Sequence, residues 1–159
     1  MLILGSMPGK APLRAGQYYA HPQNAFWKLL GMLFGFDPGT PYESRIASLR
    51  EHGIALWDVM QSCVRGTSLD SDIEESSIIS NPFEDFLRDH QEIHTICFNG
   101  ASAEASWRKH VLPQLPQSRC IQYHRLPSTS PANASIRYDD KVKAWQVVRR
   151  SIGHAIERT

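Results

Sequence analysis

Short apolar runs alternate with helix-period segments along this chain, and that alternation restricts its fold more than any other feature. Leu2-Ile3-Leu4, Ile54-Ala55-Leu56-Trp57, Ile93 to Phe98, and Arg119-Cys120-Ile121-Gln122-Tyr123 read as strands. The first two lack polar alternation, so both of their faces are covered. Between Asn24 and Phe36, Phe26, Trp27, Leu29, Leu30, Met32 and Leu33 recur at helical spacing, and Asp37-Pro38-Gly39 stops the helix. Glu43 to Glu51 is a second helix, ended by His52-Gly53. Asn81-Pro82 supplies an N-cap with Pro at the first helical position, ahead of Phe83, Phe86 and Leu87. A further helix runs from about Ala101 to His110, and Asp139 or Asp140 caps a last one through Val142, Trp145, Val148 and Ile152. Residues 60–80 are polar and read mostly as loop. Strands alternating with helices predict an α/β fold: a three-layer α/β/α sandwich on a four-stranded parallel sheet, one domain over residues 1–159.

In such a sheet the loops after the strands lie along one edge and converge on one crevice. Here those loops are Gly5–Asn24, Trp57–Asp72, Asn99-Gly100 and Ser128–Ala134. The first is the most informative. Gly5-Ser6-Met7-Pro8-Gly9 is a turn whose glycines let backbone approach a ligand closely. Tyr18 to Trp27 adds flat aromatic surfaces with His21 and Asn24 as directional polar groups. A flat, polar-edged ligand attached to something anionic fits, and a nucleobase is such a ligand. Each residue also has a purely structural reading. Phe26 and Trp27 continue the helical period and read as core, Asn24 reads equally as a helix N-cap, and His21 as a structural histidine. Asp58 either accepts a hydrogen bond from a base edge or caps a turn, and Asn99-Gly100 either serves the site or caps the next helix. Ser128-Thr129-Ser130-Pro131-Ala132-Asn133 either approaches phosphate through N–H and O–H groups or is an ordinary connection.

The formal net charge of +1 does not announce a nucleic-acid partner. Charge can still be local, and Lys10, Arg14, His124, Arg125, Arg137, Lys141 and Lys143 could form a basic rim around one mouth. Cys63, Cys97 and Cys120 lack metal-ligand spacing and read as reduced thiols. No apolar stretch is long enough to span a membrane and no secretory pattern is present, so the cytoplasm is the expected location. A serine hydrolase using Ser6 or Ser130 is disfavoured, because no G-x-S-x-G elbow is present.

Five segments in order carry a resemblance. Gly5–Gly9, Tyr18–Trp27, Leu56-Trp57-Asp58-Val59, Phe98-Asn99-Gly100 and Leu126–Ala132 are similar to motifs of the uracil-DNA glycosylase superfamily. Within it the chain most resembles the hypoxanthine (deoxyinosine)-DNA glycosylase branch. The resemblance implies an enzyme of base excision repair that flips a deaminated base, hypoxanthine or also uracil, out of DNA and hydrolyses its N-glycosidic bond. It implies no metal, no cofactor, no lyase step and a monomer. Carried over, Asn24 and Asn99 are the catalytic candidates. Gly5, Ser6, Met7, Pro8, Tyr19, His21 and Asp58 form the base pocket, with Tyr19 stacking on the base, and Ser128 to Asn133 engage DNA. Met7 stands where the mismatch-specific thymine/uracil branch has Asn, and the second motif lacks a His and carries the small Ala132. Both departures point away from strong uracil excision and towards a pocket wide enough for a purine. The competing expectation is a non-catalytic lesion-binding module on the same fold.

Overall fold

The first strand, β1 (Leu2–Gly5), is buried along its whole length, so it must lie inside a sheet with both faces covered. The computed structural model describes residues 1–7, 16–67, 69–116 and 120–156. Within these, β1 is flanked by β2 (Ala55–Asp58), and a small antiparallel pair, β3 (Met60–Ser62) and β4 (Ile79–Ser80), follows. β5 (Thr95–Asn99) and β6 (Gln122–Leu126) complete the main sheet, a four-stranded parallel sheet in the order β2-β1-β5-β6.

Five α-helices among the described residues cover it: α1 (Phe26–Phe34), α2 (Tyr42–Glu51), α3 (Phe83–Asp89), α4 (Ala101–His110) and α5 (Tyr138–Ile156). Side-chain alternation along the strands separates two cores. Ile3 and Cys97 pack with Phe26, Leu29 and Leu30 of α1 and Trp145 and Val148 of α5. Leu2, Leu4, Ile96 and Phe98 pack on the other face with Phe83 and Leu87 of α3 and Ala103 and Trp107 of α4. The result is the expected three-layer sandwich. Each fully buried Leu, Ile or Phe contributes about 1.5–3 kcal/mol relative to exposure.

Several boundaries differ from the sequence reading. α1 ends at Gly35, whose φ of 77° admits the left-handed cap that stops the helix before Asp37-Pro38-Gly39 is reached. Pro82 is itself the N-cap of α3, and the Asn81 Nδ2 instead donates to the Asp58 carbonyl at 2.8 Å. β6 lies further along the chain than the expected strand, because this sheet-edge strand has a mainly polar sequence with only Leu126 buried. Asp139 and Asp140 lie inside the first turn of α5 and do not cap it. Residues 60–80 carry the β3–β4 pair and two single turns of 3₁₀ helix, Asp70–Asp72 and Glu75–Ser77, where a loop is expected. Those strands are too short and polar to show a period-two signal.

The chain leaves β1 for β2 on one side, while β5 pairs with β1 on the other. The crevice beyond the carboxyl ends of β1 and β5 is therefore the topological switch point, where open α/β sheets bind ligands.

Candidate active site

A cleft of about 1090 Å³ opens at that switch point. Gly5, Ser6 and Met7 reach it from the end of β1, Asp58 from β2, and Asn99 and Gly100 from β5. Tyr19, His21 and Asn24 line it from the segment before α1, and Ser128 to Asn133 from the segment after β6. Every expected site residue in the described part of the chain thus reaches one cavity. Pro8, Gly9, Lys10 and Arg14 lie outside the described residues.

The end of β1 is clamped to β2. The Gly5 carbonyl accepts the Val59 N–H at 2.9 Å, and the Ser6 carbonyl accepts that of Met60 at 3.0 Å. Glycine is required at position 5, because a Cβ there would collide with the Asp58 carboxyl and lie 3.3 Å from the Tyr19 hydroxyl. Asp58 is 7% exposed. Burial pushes its carboxyl up to about 7, the nearby charge of Asp70 pushes the same way, and Arg65 opposes both. Ser6 Oγ donates to Asp70 Oδ2 at 2.7 Å, bringing the 3₁₀ turn of residues 70–72 to the first motif.

Tyr19 has a φ of 55°, rare for a residue with a side chain and a mark of stored strain. One face of its ring stacks on Phe26, with centroids 3.9 Å apart and planes at 23°. Its hydroxyl is buried beside the Asn99 side chain with no hydrogen bond of full geometry from the described residues, and desolvation holds its proton on well above the ordinary range, with Asn99 pulling the other way. Trp27 Nε1 donates to the Tyr18 carbonyl at 2.9 Å and pins this segment to α1. His21 is exposed at the rim, where its Nδ1 accepts from the Gln23 N–H at 3.2 Å.

Asn24 sits one position ahead of the nominal N-cap, Ala25, yet performs the capping. Its Oδ1 accepts the Phe26 N–H at 3.0 Å. That fixes the amide and leaves its Nδ2 without a partner among the described residues. The Ala25 N–H donates to the Thr129 carbonyl at 3.0 Å, joining the first loop to the last.

Asn99 is differently employed. Its Nδ2 donates to Thr129 Oγ1 at 2.9 Å and its Oδ1 accepts the Thr129 N–H at 2.9 Å. Thr129, expected among the DNA-contacting residues, is only 1% exposed, so it holds the loop from inside while Pro131 and Ala132 stand exposed. Three further groups brace this loop: Trp145 Nε1 donates to the Pro127 carbonyl at 3.0 Å, Asn133 Nδ2 to the Ser128 carbonyl at 3.1 Å, and Lys141 Nζ to the Asn133 carbonyl at 2.8 Å.

The basic rim is thinner than its sequence. Lys141 is buried, Lys143 pairs with Asp140 at 3.5 Å, and Arg125 lines the cleft facing Glu104 at 3.5 Å. Sequence reasoning missed Asp70, Arg65 and the bracing by Lys141. No motif marks them, and only the folding of residues 60–80 and of α5 brings them here.

Comparison with known proteins agrees with this geometry. A family model described as the uracil DNA glycosylase superfamily matches residues 1–149. A protein from Methanosarcina acetivorans named hypoxanthine DNA glycosylase is 33% identical over 153 residues, 94% of this chain and 90% of that protein. One of the same name from Methanosarcina barkeri is 38% identical over 101 residues, a match spanning 63% of each chain and so just under two thirds of that relative. The solution NMR structure of a candidate uracil DNA glycosylase from Methanosarcina acetivorans superposes with a TM-score of 0.75 at 32% identity, covering 96% of this chain and 90% of that one.

Proposed function

The chain belongs to the uracil-DNA glycosylase superfamily, and from that kinship we propose a monofunctional DNA glycosylase of base excision repair that removes hypoxanthine from DNA, with uracil as a second substrate. Duplex DNA docks over the cleft and the deaminated nucleotide swings out of the stack, which costs a few kcal/mol and least at a mismatched pair. The ring face of Tyr19 turned away from Phe26 receives the base. The carrying observation is Asn24: its amide is fixed by the Phe26 N–H, and its Nδ2 is unclaimed among the described residues at the cleft wall.

As the C1′–N bond lengthens, positive charge grows on the sugar and negative charge on the base. An amide is no proton acceptor at neutral pH, so Asn24 works by orienting water and stabilising developing charge. Ser128, Ser130 and Asn133, with the loop backbone, face the phosphates, and Pro131 and Ala132 meet the duplex. Asn99 serves through Thr129, setting the height of that loop against Asn24. Asp58 and His21 complete the base pocket, with Gly5, Ser6 and Met7 at its floor.

The relatives named hypoxanthine DNA glycosylase support a purine substrate, as does a cleft of about 1090 Å³, ample for a bicyclic base. The protein acts as a monomer and in the cytoplasm. No helix among the described residues is long and apolar enough to cross a membrane. Base release from duplexes carrying one deoxyinosine, one deoxyuridine or no lesion tests the reading. Release from deoxyinosine above the undamaged background is expected. Lesion binding with no release from any duplex identifies a non-catalytic lesion sensor instead.

A further inference from the structure

The floor of the cleft holds a carboxyl group with no chemical task so far. Asp58 ends β2 against the bare backbone of Gly5 and is 7% exposed. No hydrogen bond from a described residue reaches its carboxyl. The Tyr19 hydroxyl, also buried and without a full hydrogen bond among the described residues, lies over the same point of Gly5, where a Cβ would meet both groups. Buried polar groups are nearly always hydrogen-bonded, so two that lack a full hydrogen bond among the described residues, at one cleft, mark a place where a ligand supplies partners.

The charged surroundings decide what Asp58 offers that ligand. Asp70, from the 3₁₀ turn, brings a second carboxylate that is already engaged by Ser6 Oγ. Arg65, from the segment after β3, is the opposing cation, and the hydroxyls of Tyr18 and Tyr19 face Asp58 from the first loop. The negative charge of Asp70 disfavours ionisation of the buried Asp58, which keeps its proton more readily than an exposed carboxyl. Burial and Asp70 together push Asp58 up to about 7, against the weaker pull of Arg65.

We propose that Asp58 is the proton donor to the departing base, its carboxyl O–H protonating a ring nitrogen of the extruded purine as the glycosidic bond breaks. The proposal rests on the glycosylase reading and deepens it. The electron pair of the C1′–N9 bond stays with the base. The Asp58 proton passes to N7, so hypoxanthine leaves as a neutral molecule and not as an anion near the Asp70 carboxylate. The water oxygen bonds to C1′ and releases its proton to solvent, and solvent returns a proton to Asp58. No other reactant is consumed.

The test is single-turnover base release between pH 5 and pH 10 by wild type and Asp58→Asn. One duplex carries deoxyinosine. The other carries 7-methyl-2′-deoxyinosine, whose base is already cationic and leaves without a proton. On deoxyinosine the wild-type rate falls above about pH 7, and Asp58→Asn is about 10²–10⁴-fold slower with no such fall. On the 7-methyl duplex the two proteins agree within a few fold, which a structural role for Asp58 does not produce. Equal rates on deoxyinosine, or equal losses on both duplexes by a variant that is still folded in urea titration, overturn the proposal. A wild type that releases base from neither duplex overturns the glycosylase reading itself, and the proposal with it.

Discussion

Asn99 and Thr129 close a two-point clamp, with the Asn99 amide donating to the Thr129 hydroxyl and accepting its backbone N–H, both at 2.9 Å. The clamp ties the end of β5 to the last cleft loop, and the Thr129 carbonyl passes the constraint on to Ala25, next to Asn24. Asn99→Ala leaves the buried Thr129 N–H without its partner, a loss of about 1–3 kcal/mol in stability. Urea unfolding measures that loss. A double-mutant cycle with Thr129→Val is expected to be strongly non-additive, because the two residues share one interaction.

Gly100 makes the same junction from the other side. Its φ is 105°, and a Cβ there would lie 3.0 Å from the Ser128 Cβ. Gly100→Ala is expected to destabilise the fold by about 1–3 kcal/mol through backbone strain and to lower activity further by displacing Ser128. Thermal melts and base-release rates measured side by side separate the two effects. An unchanged melting temperature contradicts the strain argument.

The sheet and the helix count were legible because buried strands and amphipathic helices carry periodic signals. β1 shows as Leu2-Ile3-Leu4, and α1 shows as Phe26 through Leu33. The cleft loops were legible because each follows a strand end. Asp70 was not, since nothing in a polar segment forecasts that Ser6 will reach it across 64 residues of sequence. Nor was the inward turn of Thr129 and Lys141. A threonine in a serine-rich loop and a lysine near an acidic turn look solvated until the packing of α5 places them. The capping by Asn24 was visible as a type of interaction, though Ala25 takes the formal cap position.

Tyr19 presents one ring face to Phe26 and lines the cleft. Tyr19→Ala removes the platform and is expected to weaken binding to a deoxyinosine duplex by about 1–3 kcal/mol. Fluorescence anisotropy at fixed salt reads this directly. Binding to undamaged duplex is expected to change little, because phosphate contacts carry it. An equal loss on both duplexes assigns Tyr19 to the scaffold.

Asp58 gives stability a pH dependence of defined sign. Its folded carboxyl sits at about 7, raised by burial and by Asp70 above the ordinary value of 3.8. Between those values the native state binds more protons than the unfolded chain, so stability falls as pH rises from about 4 to about 7 and then levels off. Asp58→Asn removes that loss. The variant is expected to be more stable than wild type at pH 8, by an amount on the order of a few kcal/mol, and to match it near pH 4. Urea titrations at the two pH values check the sign. A variant less stable than wild type at pH 8 contradicts the burial argument.

The most direct test of the whole account is base release from a duplex containing one deoxyinosine, by wild type and Asn24→Ala, read as strand breaks after alkaline cleavage. Wild-type release with a loss of roughly 10²-fold or more in the variant is predicted, the scale of removing one positioned polar group from a site of developing charge. The loss of the Phe26 N–H contact is expected to lower stability by only about 0.5–2 kcal/mol, leaving the fold intact. Release by Asn24→Ala at the wild-type rate would contradict the account and return Asn24 to the role of a helix cap alone.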